Sequence, residues 1–94
     1  LQTIMNGLND TEFRVMDELY FVTAYNELLV LTVLDEGLLN KTLFGLIVQG
    51  LVHQMKYNAN INDFEKLEQA DTASFFQSSF VATRQGLLMH NMRS

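Results

Sequence analysis

Leu39-Asn40-Lys41-Thr42-Leu43-Phe44-Gly45-Leu46-Ile47-Val48-Gln49-Gly50-Leu51-Val52 reads as one amphipathic helix followed by its stop. Leu39, Leu43, Leu46 and Ile47 recur at i, i+4, i+7 and i+8, which is one face of a 3.6-residue period. Gly50 follows where a helix closing on a left-handed residue favours one without a Cβ. Asp35 and Glu36 lie at the opposite end, where the helix dipole is positive. Beyond the glycine, Leu51 to Tyr57 has the short, mixed pattern of a strand.

Working outward, Asn9-Asp10-Thr11-Glu12 pairs a capping side chain with a glutamate three residues on, so a helix is expected to begin there. Phe13, Met16, Tyr20 and Thr23 share one face of it, widened by Leu19 and Val22. Asn26-Glu27 restarts a short helix through Leu28, Leu29 and Leu31. On the other side, residues 58–75 are polar, acidic and too long for a tight hairpin turn, with one extra helical turn expected at Asn62-Asp63-Phe64-Glu65. Phe76, Phe80 and Ala82 alternate with Gln77, Ser79 and Thr83, the pattern of a return strand. Thr83 then caps a last short helix carrying Leu87, Leu88 and His90.

The 94 residues are 48% apolar, with six basic and eleven acidic side chains, no cysteine and no proline. That suits one α+β domain over residues 1–94, with residues 1–8 expected to be a flexible N-terminal segment. Without cysteine there is neither a disulfide framework nor a thiolate metal site or nucleophile. The uncharged run Thr42 to Val52 falls far short of the roughly 20 apolar residues that cross a bilayer. Leu1 to Gly7 lacks the basic head and apolar run of a signal peptide, so a bacterial, cytoplasmic protein is expected, with a start that has been processed or cut.

This order resembles a winged helix-turn-helix domain. In that family the third helix commonly closes on Leu-x-x-x-Gly-Leu-Val before the first wing strand, matched by Leu46 to Val52. The second wing strand commonly runs into Leu-Thr-x-x-Gly, matched by Ala82-Thr83-Arg84-Gln85-Gly86 with alanine in place of leucine. Asp17 to Val22 and the end from Ala82-Thr83 to His90-Asn91 are similar to small bacterial proteins of the same type. The resemblance implies a three-helix core, a two-stranded β wing holding the acidic loop 58–75, and a short C-terminal helix. It implies no particular activity.

Winged helices of transcription regulators read DNA with the third helix, over about residues 37–49 here, and contact phosphates with basic side chains. With the leucine stripe inward, the outward arc of this helix carries Asn40, Lys41, Phe44, Gly45 and Val48. Apolar Phe44 and Val48 stand where a base reader carries polar or basic side chains. Asp63, Glu65, Glu68 and Asp71 against Lys66 alone make an acidic wing that phosphate repels. Two readings follow. In the first, the domain is a non-catalytic regulatory or protein-interaction module, self-associating or bound to a protein partner, with Phe21, Tyr25, Phe44 and Val48 as apolar anchors. In the second it is a DNA-binding regulator using Asn40, Lys41, Lys56 and Arg84; with Arg14 and Arg93, the last three are the only basic side chains outside the acidic loop.

No catalytic, metal or cofactor site is expected, and no small-molecule ligand. His53 is placed on a wing strand beside Leu51 and Met55, and His90 near a helix C-terminus, where a cation is favoured. Neither has the i, i+4 partner of a helical zinc pair. Asn58, Asn60 and Asn62 alternate like calcium ligands, but Asp63 replaces the required glycine and Gln69 the required glutamate.

Overall fold

The computed structural model describes residues 7–93. Helix α1 spans Asp10–Asp17 and begins as its sequence dictates. The Asn9 side chain accepts from the Glu12 amide at 2.8 Å, and the Glu12 carboxylate accepts from the Asn9 amide at 2.9 Å, so two otherwise orphaned donors are satisfied. The helix is shorter than the periodicity suggests. Glu18 and Leu19 close it with i→i−3 bonds to Val15 and Met16, and the Thr23 hydroxyl donates to the carbonyls of Glu18 and Phe21. These local bonds divert the chain into a loop and then strand β1, Thr23–Ala24.

Helix α2, Tyr25–Thr32, and helix α3, Glu36–Val48, follow as expected. Asp35 caps α3 by accepting from the Leu38 amide at 2.8 Å. At the other end Gly50 adopts φ 79°, Leu51 donates back to Leu46, and Gly50 donates to Ile47, which together form a Schellman stop. Strand β2 is Val52–Asn58, β3 is Asp63–Lys66, β4 is Ser79–Ala82, and α4 is Arg84–Arg93. The Thr83 hydroxyl accepts from the Gly86 amide at the start of α4 and donates to the Gly50 carbonyl, joining this cap to the α3 stop.

The protein is α+β, and its four strands form one antiparallel sheet in the order β1-β4-β2-β3. The expected two-stranded wing holding a long acidic loop over 58–75 is therefore corrected. Asn62, at φ 55°, turns the chain back so that Asp63–Lys66 pairs with Met55–Asn58, and no helical turn forms there. Thr72–Gln77 forms a 3-10 turn, so Phe76 does not belong to the return strand. Phe75 is buried and packs edge-on against Phe80 at 5.3 Å, while Phe76 remains on the surface. Gln54 explains the detour. Its side chain is buried, accepts from the Asp71 amide, and offers Nε2 to the Asp71 carbonyl and to the hydroxyls of Ser74 and Ser78, fixing the return path.

The core lies between the helices and the sheet: Val15, Met16 and Leu19, then Tyr25 and Leu28, then Leu39, Leu43 and Leu46, closed by Leu51, Val52, Phe75 and Phe80. Of the segment expected to be flexible, residues 1–6 lie outside the described residues, and Leu8 is buried in the core. No helix among the described residues is long and apolar enough to cross a membrane.

Candidate functional surface

On α3 the buried set Leu39, Thr42, Leu43 and Leu46 leaves Gly37, Lys41, Phe44 and Val48 on the opposite arc, all exposed. Phe44 keeps 46% and Val48 67% of its area open to solvent. The stripe is thus mainly apolar, with one cation. Lys41 also borders a cleft of about 310 Å³ against the start of α1, lined as well by Glu12.

Asn40 is not a free polar tip. It accepts from the Tyr25 hydroxyl at 2.5 Å and is half-buried. Tyr25 itself is fully buried, packed edge-on against Phe76, which corrects its expected place among the exposed anchors. The physical reason is the early end of α1: Tyr25 opens α2 and faces the core. Burial, and then the nearby Glu36 charge, raise its phenol above the usual 10, partly offset by the bond to Asn40.

Phe21 is 82% exposed, in the loop between α1 and β1 and away from the α3 stripe in sequence. Lys56 faces Glu65 across β2 and β3, and Arg84 is exposed at the first position of α4. The four residues named for DNA contact therefore sit on three elements, with Asn40 engaged by Tyr25 and Lys56 opposite Glu65.

His53 lies on β2 as expected, in a cleft of about 230 Å³ lined also by Ile47, Lys66, Glu68 and Thr83. Burial, and then Lys66, lower its pKa below 6.5. Asn58 and Asn62 shape the wing turn: the Asn58 side-chain oxygen Oδ1 accepts from the Asn60 backbone amide, its Nδ2 donates to Glu65, and Asn62 accepts from the Tyr57 hydroxyl.

One cluster was invisible in sequence. His90 Nε2 donates to Asp17 at 2.5 Å, its Nδ1 lies 2.8 Å from the Tyr20 hydroxyl, and its ring stacks on Phe13 at 4.4 Å. The Tyr20 hydroxyl also donates to Asn91. Carboxylate, imidazole and hydroxyl stand in one hydrogen-bonded row, with the ring between them buried. Arg93 extends the contact. It pairs with Asp10, donates to the Leu8 carbonyl and lies 4.6 Å over Phe13. The arrangement fastens α4 to α1. Asp17 and His90 are 73 positions apart, and no local pattern announces such a pair.

No family model, curated protein or solved structure matches the chain.

Proposed function

We propose that the chain is a non-catalytic winged-helix module of the cytoplasm that docks a protein partner on the outward stripe of α3. The observation that carries this reading is the exposure of Phe44 and Val48 beside Lys41 alone. Apolar side chains desolvated against a partner supply the binding free energy, whereas against a phosphate backbone they displace hydrated charge without return. The order of helix, strand, two helices and then a β wing supports the winged-helix assignment. The wing adds a sign. Asp63, Glu65 and Glu68 outnumber Lys66, which favours a partner with a basic rim and disfavours nucleic acid.

A photo-crosslinking amino acid placed at position 44 tests this in cells. The reading expects an adduct that resists nuclease and is removed by protease. A nuclease-sensitive adduct, or none at all, contradicts it, the former in favour of a DNA-binding regulator acting through Lys41 and Arg84.

A further inference from the structure

The cleft of about 230 Å³ beside His53 opens where strand β3 ends. Lys66, the last residue of β3, stands opposite Met55, and one step further the Leu67 amide donates to the Gln54 carbonyl. The ladder ends there, whereas β2 extends back to Val52 with β4 on its other side. The cleft lies at this parting, lined by residues 52–54 of one segment and 66–68 of the other.

Part of its lining is apolar: Ile47, Val52 and Leu67, each buried or half-buried. The rest carries three polar side chains, a half-buried His53 and the exposed Lys66 and Glu68. Among the described residues, none of the three has an ion-pair or hydrogen-bond partner. The nearby carboxylates are different. Asp63 accepts from the Phe64 amide, Glu65 from Asn58 and Asp71 from the Ser74 hydroxyl. Unpaired groups of both signs therefore converge on one concavity, together with an imidazole. Burial, and then Lys66, disfavour a proton on that ring, so at neutral pH it keeps a single N–H to donate.

We infer that this cleft binds a small apolar α-amino acid, with its carboxylate on Lys66 and the His53 N–H, its ammonium on Glu68, and its side chain against Ile47, Val52 and Leu67. The charges select the class. A simple anion that reaches Lys66 also meets Glu68, and a simple cation that reaches Glu68 also meets Lys66. A zwitterion answers both, because its two charges sit on neighbouring atoms and Lys66 and Glu68 are two positions apart. Size agrees: pockets for drug-sized ligands begin at about 300 Å³, and this smaller cleft suits a molecule the size of valine. Ile47 alone of the lining belongs to α3, and it lies off the exposed stripe, so the inference stands apart from the protein-docking reading.

NMR of the full chain at about pH 7 tests this, following the His53 imidazole and the amides of residues 66–68 as valine is added from about 0.05 to 50 mM. Saturable shifts are expected, half complete near about 1 mM. Isovalerate, which is valine without its ammonium, and isobutylamine, which is valine without its carboxylate, should each bind about 10-fold more weakly or worse. Lys66→Met should abolish the preference for valine over isobutylamine, and Glu68→Gln the preference over isovalerate. Circular dichroism should stay unchanged in both variants, because both positions are exposed. The absence of a saturable response to valine would overturn the inference, as would a preference that survives both substitutions. Isovalerate binding as tightly as valine would make the cleft a plain anion site, and isobutylamine doing so a plain cation site; either result overturns the amino-acid assignment.

Discussion

His90 Nε2 donates to the Asp17 carboxylate at 2.5 Å, joining the last helix to the first. The two partners contribute unequally. His90 is buried and stacked on Phe13, whereas the Asp17 side chain is 47% exposed and its charge is screened by water. His90→Ala should cost about 2–3 kcal/mol, through the lost ring packing against Phe13 and the lost hydrogen bonds to Asp17 and Tyr20, while Asp17→Asn should cost about 0.5–1 kcal/mol. Urea unfolding of both variants checks the order; a larger loss for Asp17→Asn would mean that the bond to the carboxylate, rather than the packing, fastens α4.

How much of this was legible in the sequence depends on the range of the interaction. The Asn9–Glu12 box, the Gly50 stop and the Thr83 cap are local hydrogen-bond devices, so their residues announce them and the helix starts and stops follow. Strand β3 and the 3-10 turn were misread because the residues that fix them are distant. Gln54 reaches Asp71, Ser74 and Ser78, and Asp63–Lys66 becomes a strand only by pairing with β2. The end of α1 was misread for a different reason, since apolar periodicity continues through Tyr20 while the Thr23 hydroxyl has already turned the chain. At the surface, the exposure of Phe44 and Val48 followed from helical arithmetic, but Tyr25 moved into the core once α1 ended early.

Gly86 tests the junction of the α4 cap with the core. A Cβ at this position would lie 2.1 Å from the Leu51 carbonyl oxygen and 2.9 Å from Met16 Cε. The methionine can give way, but the backbone carbonyl follows the Schellman stop and cannot move alone. Gly86→Ala should therefore lose about 3 kcal/mol, visible as a lower urea midpoint. A near-neutral result would show that α4 shifts away from Leu51 without cost.

Val33 is a β-branched residue held at φ 58° and ψ 28° at the end of α2, with 81% of its area exposed. Left-handed backbone costs an L-residue about 1–2 kcal/mol, and the exposed side chain returns little packing. Val33→Gly should stabilise the fold by about 1 kcal/mol after the added freedom of the unfolded chain is counted. Thermal unfolding is the readout, and a lower melting temperature would assign the side chain a packing role.

His53 gives a pH dependence of definite sign. Burial, and then Lys66, hold its pKa below 6.5, so the unfolded chain takes up this proton first as pH falls. Its contribution to stability is fully present above about pH 6.5 and is lost as pH drops through the lower folded value. NMR titration of the imidazole should show the depressed midpoint, and Lys66→Ala should move it partly back toward 6.5. A midpoint at or above 6.5 in the wild type would contradict the arrangement of the cleft.

The reading of α3 as a protein-docking face is tested most directly by fluorescence anisotropy against random-sequence duplex DNA, beginning at about 50 mM salt, where electrostatic attraction is strongest. An acidic wing and an α3 stripe of Gly37, Lys41, Phe44 and Val48 predict no binding at micromolar protein. Binding that falls steeply with salt and is weakened by Lys41→Ala and Arg84→Ala would contradict the account and assign the face to nucleic acid.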